Sequence, residues 1–238
     1  MKRVLMIVIA ALTFFFTGCA QTESPLWTDV SYKNENAYTV GGGEIQTAVT
    51  AIEIEWVMSG VLTEYYDGES VVLFESSDKE LSEPLTLRYL VEDGKLTVRY
   101  AANGRWNIRG LNKQLTVRIP QKTQLKELTV QCVSGSVTTN VAAERQRITV
   151  VDANVNCQLY QPYTLQVKSV SGNVTLSMPK DVGFTLEFSS VSGMFSSQAE
   201  LKKEEKCYLY LGGENGISVS TVSGNCAVRL SEDESLGT

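Results

Sequence analysis

A recurring Val-Ser-Gly constrains this chain more than any other feature. It stands in "CVSGSVTT" (132–139), "SVSGNVTL" (169–176), "SVSGMFSS" (190–197) and "TVSGNCAV" (221–228). Aligned on Gly135, Gly172, Gly193 and Gly224, the copies lie 37, 21 and 31 residues apart. The first gap holds a degenerate copy, "ITVVDANVNC", with Ala153 where the glycine would be, and the spacings become 18, 19, 21 and 31. A unit of about twenty residues that keeps returning is the mark of a stacked repeat.

The flanks form columns. Five positions before the glycine stand Val130, Ile148, Val167, Phe188 and Val219, and two before it Val133, Val151, Val170, Val191 and Val222. Two after it come Val137, Val155, Val174, Phe195 and Cys226, and four after it Thr139, Cys157, Leu176, Ser197 and Val228. The apolar positions upstream of the motif fall at odd offsets and those downstream at even ones. Strand side chains alternate faces, so this switch requires an extra residue or a bend at the motif itself. Glycine tolerates such a corner. The motif therefore turns the chain so that both flanking strands face one core.

Those flanks ("KLTVRY", "QLTVRI", "ELTVQC", "TLQVKS", "TLEFSS", "GISVST") are period-two and β-branched, and the fold class is all-β. Two short strands and a corner cannot bury an apolar face alone, but stacking units about 4.8 Å apart can. The expectation is a β-solenoid or β-roll, and its rival is a β-sandwich of similar strands. Residues 48–120 form a more divergent part of the same body, and 121–231 hold the Val-Ser-Gly repeats, followed by a 232–238 tail. In "WVMSGVLTEY" Met58 and Leu62 flank a corner at Gly60, while Ile52, Ile54 and Trp56 sit at even offsets, so that corner is expected to be built differently. "LTVRIP" (115–120) and "VTLSMP" (174–179) match, each closing a unit with a proline.

The N-terminus carries a different signal. Lys2 and Arg3 precede the thirteen-residue apolar run Val4 to Phe16. As a helix it spans roughly 20 Å, short of the ~30 Å bilayer core, so residues 1–18 read as an export signal. "FTGC" is similar to a bacterial lipobox with Phe16 in place of the usual leucine, which makes Cys19 the lipidated residue and the start of the mature chain. The alternative is a chance cysteine after an ordinary signal peptide. Acyl chains contribute about 0.8 kcal/mol per buried CH₂ and anchor the protein to a membrane, facing outside the cytoplasm. Residues 19–47 read as a polar tether, and their "TVGGGEI" lacks the Gly-Lys-Ser/Thr ending of a phosphate-binding loop.

Composition narrows the chemistry. The chain has no histidine, which removes the commonest general base and metal ligand and every Ser-His or Cys-His nucleophile. Its net charge of −6 disfavours nucleic acid as a partner. Cys132, Cys157, Cys207 and Cys226 make an even number in an exported chain, which is compatible with two disulfides. Their repeat columns instead read as reduced core positions. With no Cys-x-x-Cys and no histidine, no metal site or cofactor is expected. The acids Glu144, Asp152, Asp181 and Glu187 fall at unrelated repeat offsets, which argues against the converging carboxylates of a glycan-cleaving enzyme. Outward tracks such as Thr129, Gln131, Gln166 and Lys168 read as a solvated surface or a shallow face for a glycan or protein.

"GEIQTAVTAIEIEWVMSGVLTEYYDGESVVLFESS", "LRYLVEDGKLTVRY" and the Val-Ser-Gly units together resemble the DUF4097 family of adhesin-like proteins, over roughly 38 to 230. The resemblance implies an exported or envelope-associated β-strand-repeat protein with no established catalytic residues. The resulting expectation is a surface-anchored lipoprotein that is not an enzyme, and that binds or scaffolds an envelope glycan or protein. The alternatives are an accessory partner of an envelope-stress signalling system and a polysaccharide-active enzyme. Cys19→Ala is expected to release the protein from membranes, and intact-mass spectrometry of the wild type should show an acylated N-terminal Cys19. An unmodified N-terminus elsewhere would refute the anchor.

Overall fold

The computed structural model describes residues 26–160, 164–213 and 215–231. Leu125–Asn140 and Ala143–Gln158 each run as one long strand through the motif. They pair in parallel, Val130 against Ile148 and Val137 against Val155, so each forms a rung with two sides. Other rungs stack on them in register. Upstream of the corner, parallel pairing runs Lys95–Arg99, Ala51–Trp56, the two long strands, Thr164–Ser171, Asn215–Thr221 and Phe184–Ser190. Downstream it runs Lys113–Pro120, Gly60–Tyr66, the two long strands, Val174–Pro179, Cys226–Ser231 and Phe195–Ser197. The body is a β-solenoid. Parallel stacking rules out the β-sandwich, whose sheets are antiparallel.

Spatial order departs from chain order twice. The rung carrying residues 95–120 lies outside the 51–66 rung. The Gly224 rung is inserted between those of Gly172 and Gly193. The 31-residue gap contains the short strands Lys202–Glu204 and Cys207–Tyr210, and the latter folds back antiparallel on Phe184–Glu187. The neighbours of Gly172 are thus Ala153 and Gly224, and Gly193 is one rung further away. Matched columns fit any order of stacking, so the repeat alone does not reveal which copies touch.

The corner explains each letter of the motif. Val130, Val167 and Val219 before it and Val137, Val155 and Cys226 after it are fully buried. The motif valine falls on the outside, half-buried at Val133, Val151 and Val170, 48% exposed at Val222 and 82% exposed at Val191 in the last rung. The serine binds the rung below it. Ser223 donates its N–H and hydroxyl to the Val170 carbonyl (3.0 and 3.3 Å), and Ser192 does the same to Val222 (3.0 and 3.3 Å). Where asparagine follows the glycine it extends the ladder. Asn154 Oδ1 accepts the Asn173 N–H (2.9 Å), Asn173 that of Asn225 (3.3 Å), and Asn225 that of Met194 (2.8 Å).

Glycine completes the corner because the backbones there pack directly on each other. Gly172 has φ +101°, and a Cβ built on it would lie 2.2 Å from the Ala153 carbonyl oxygen. Ala153, in register with Gly135, keeps its methyl buried. The Gly60 corner needs correction. Register sets Trp56 against Cys132 and Val61 against Val137, while Gly60 faces Ser136. Ser59, at φ +74°, therefore holds the corner, with its carbonyl where a Cβ on Gly135 would be (2.4 Å). Counted from Ser59, Ile52, Ile54 and Trp56 fall at odd offsets like every later copy. Met58 and Leu62 are only half-buried and do not fill the columns.

The tether reading fails over residues 26–47. Trp27–Val30 pairs with Gly104–Asn107, Thr39–Val40 with Arg88–Glu92, and Gly43–Ile45 with Val71–Ser77. Gly42 lies so close to the last strand that a Cβ on it would sit 2.4 Å from the Leu73 carbonyl oxygen. The glycine triplet allows that crossing. Val71–Ser77 and Arg88–Glu92 in turn run antiparallel against the outermost rung and cap this end of the stack. The proposed lipidation site Cys19, the signal segment and the tail lie outside the described residues.

At this capped end lies the one fully buried lysine of the described core, Lys113. Its ammonium pairs with Glu75 (2.6 Å) and donates to the carbonyls of Leu85 (2.5 Å) and Tyr100. It also lies over the rings of Tyr100 (4.1 Å) and Trp56 (5.0 Å). Burial brings its pKa down to about 8, against the pull of Glu75. Because the unfolded chain holds this proton to about 10.5, stability is expected to rise with pH between about 8 and 10.5.

Two outcomes follow. Denaturant melts should show Gly172→Ala nearly as damaging as Gly172→Val, since the first carbon already meets backbone. A wild-type-like Gly172→Ala would mean the corner is not a backbone contact. Lys113→Met should cost about 3–5 kcal/mol by stranding Glu75, with partial recovery when Glu75→Gln is added. The pH-dependent rise should vanish in both variants.

Candidate binding surface

Three of the four cysteines of the described body, and its one fully buried lysine, are withdrawn from solvent. Cys132, Cys157 and Cys226 are buried free thiols, and burial pushes each up to about 12, so no thiolate forms near neutral pH. Cys207 is free and half-buried. Lys113 is sealed by Glu75 and two rings. The acids stand on different elements: Asp152 at the corner, accepting from Ser171 Oγ (2.8 Å), Glu187 on a strand face, Asp181 on a turn, and Glu144 at the start of Ala143–Gln158. Among the described residues, no group of three or more His, Cys, Asp or Glu could hold a metal ion.

What the fold presents outward is polar and regular. On the upstream side the register brings Thr129, Arg147, Gln166 and Ser218 into one row, and Gln131, Thr149, Lys168, Ser220 and Ser189 into the next. Ser189 and Ser220 hydroxyls hydrogen-bond across adjacent rungs at 2.9 Å. Towards the capped end the rows become charged and self-neutralising through Lys95–Glu53, Arg99–Glu55 and Arg147–Glu127. Downstream, Thr138, Asn156 and Thr175 form a further row.

A cleft of ≈ 580 Å³ interrupts this surface on the side where rungs close, opposite the glycine corner. Its floor is apolar, from Ile45, Val49 and Val71, all buried against the core. Its walls come from three loops: residues 46–50, the turn before Val71–Ser77, and the turn between Lys113–Pro120 and Leu125–Asn140. These loops offer hydroxyls (Thr47, Thr50, Ser70, Thr123), amides (Gln46, Gln124) and charges of both signs. Lys122 pairs with Glu69 across the rim, and Glu144 and Lys126 complete the border. Such a mixture of donors and acceptors over an apolar floor suits an uncharged polar ligand held by hydrogen bonds.

The glycine corner has a signature in the sequence, and this cleft has none. Its residues lie in "QTAVT", "DGESV" and "QKTQ", three polar loops far apart in the chain and lacking any shared motif. They meet because the 95–120 and 51–66 rungs exchange order, which only the pairing reveals.

No curated protein matches the chain. Among solved structures, the fold is similar to that of a "putative cell adhesion protein" from Clostridium sporogenes ATCC 15579. That likeness has a TM-score of 0.65 at 12% identity and covers 87% of this chain and 99% of the other. A "putative lipid binding protein" from Parabacteroides distasonis ATCC 8503 also aligns, at 10% identity over 87% of this chain and 97% of its own, but with a TM-score of only 0.27. Residues 139–229, the Ala153, Gly172, Gly193 and Gly224 rungs, match the model of the Toastrack DUF4097 family. Over residues 139–229, therefore, this β-solenoid is similar to the Toastrack DUF4097 family.

Proposed function

We propose that the protein is an exported, lipid-anchored binding or scaffolding protein of the cell envelope, adhesin-like and non-catalytic, which holds an envelope glycan or protein segment in its polar cleft. The cleft between residues 45–50, 69–71 and 122–126 carries the reading. It is a concave, hydroxyl- and amide-rich site over an apolar floor, on a body that buries Cys132, Cys157, Cys226 and Lys113. The solenoid supports it physically, since stacked strands hold the three loops on a stiff scaffold. The name of the Clostridium structure points the same way. Lipidation at Cys19 would leave the folded body outside the cytoplasmic membrane, where such ligands are found.

The test combines a glycan array and an envelope-fragment pull-down, using wild type and Thr123→Arg, which fills the cleft from its rim. The wild type should retain ligand, and Thr123→Arg should weaken binding at least about tenfold, or about 1.4 kcal/mol, at unchanged melting temperature. Undiminished binding by the variant would move the site elsewhere, and release of cleaved ligand would overturn the non-catalytic reading.

A further inference from the structure

The two ends of the stack are finished differently. At the first end, antiparallel strands cover both sides of the outermost rung. At the other, Cys207–Tyr210 covers Phe184–Glu187 on the upstream side, and Tyr208 lays its ring against Phe195 at 4.5 Å. On the downstream side, Phe195–Ser197 pairs with Cys226–Ser231 and with no other described strand. An open strand edge is a template for another strand.

The free edge can be assigned group by group. Cys226 N–H donates to the Met194 carbonyl (2.9 Å) and Gln198 N–H donates to the Val228 carbonyl (3.0 Å). In a parallel ladder the bonding residues alternate, so 194, 196 and 198 face the inner strand and the backbone groups of Phe195 and Ser197 face away. Side chains along this edge are also uncovered. Val191 is 82% exposed and Met194 72%, whereas in the same column Val151 and Val170 are half-buried and Val222, one rung inward, is 48% exposed. From Phe188 to Ala199 there is no charged residue, in a chain of net charge −6.

We infer that this edge is a homodimer interface, in which Phe195–Ser197 pairs antiparallel with the same strand of a second copy about a two-fold axis at Ser196. A second copy fits for three reasons. The neutral segment lets two acidic chains approach without like charges facing each other. The free N–H and C=O of Phe195 meet those of Ser197 in the partner, and the reverse, so one short strand satisfies its own image. Since the first end is capped, association stops at two copies and does not propagate as a fibre. The pairing also places the two Ser196 residues opposite each other at a non-hydrogen-bonded position, where Cα atoms approach to about 4.5 Å. That separation lies within disulfide range.

The test uses the full-length protein in detergent. Light scattering should give the mass of two chains, and Ser196→Glu, an exposed position, should give one chain with an unchanged melting temperature, because like charges would then face across the axis. Ser196→Cys should form a covalent dimer on mild oxidation, reversed by reductant. Ser218→Cys, on the other strand face, should not. A wild type that stays monomeric to about 100 μM, with no Ser196→Cys cross-link, overturns the proposal. So does a dimer that survives Ser196→Glu. A strand from a different protein as the natural occupant would appear as a monomeric purified chain.

Discussion

The whole architecture depends on one contact, the approach of backbone to backbone at the glycine corner. A carbonyl oxygen occupies the space a side chain would need: that of Ser59 at Gly135, of Ala153 at Gly172, and of Gly172 at Gly224. That approach lets two strands of one rung turn inward together while neighbouring rungs keep their in-register parallel pairing. Serine and asparagine then satisfy the polar groups a corner leaves over, through the Val170 and Val222 carbonyls and the Asn154–Asn173–Asn225 ladder. Each letter of the motif thus has a separate physical task, and the outward valine is the one that becomes more exposed towards the open end, from half-buried Val170 to Val222 and then Val191.

A stack of identical rungs has two ends, and the chain treats them differently. At the first end it covers the core with antiparallel strands and with segments from the 26–47 region, and it places Lys113 beneath Trp56 and Tyr100 where the columns elsewhere are aliphatic. A buried Lys–Glu pair stabilises weakly compared with apolar packing, but loss of either partner is costly, so the pair fixes how the cap seats on the first rung. At the far end a hairpin covers only one side. The asymmetry leaves a neutral, exposed edge on one end and a polar cleft among the closing loops near the other.

The same geometry separates chemistry from recognition. Inward columns hold Cys132, Cys157 and Cys226 in a low-dielectric core where they stay protonated. Outward rows, set by register, carry hydroxyls, amides and mutually compensating charges. The surface therefore offers many hydrogen-bonding groups at a fixed spacing, a distribution suited to holding a ligand.

Period-two alternation, the twenty-residue return of Val-Ser-Gly and the switch of parity around it were enough to determine an all-β fold with inward and outward columns and to favour a solenoid over a β-sandwich, which only the parallel pairing excludes. They could do so because side-chain direction in a strand is a local property. The family resemblance was legible for the same reason, since the repeats carry it. Adjacency was not legible. That Gly224 lies beside Gly172, that Ser59 holds the corner in place of Gly60, and that residues 26–47 join the body are settled by long-range pairing, in which equivalent rungs compete on nearly equal terms. The partners of Trp27–Val30 and Gly43–Ile45, and the burial of Lys113, come from segments with no repeat signature. Only the tertiary structure could gather the cleft, because its loops share a place in the stack and nothing in their sequence.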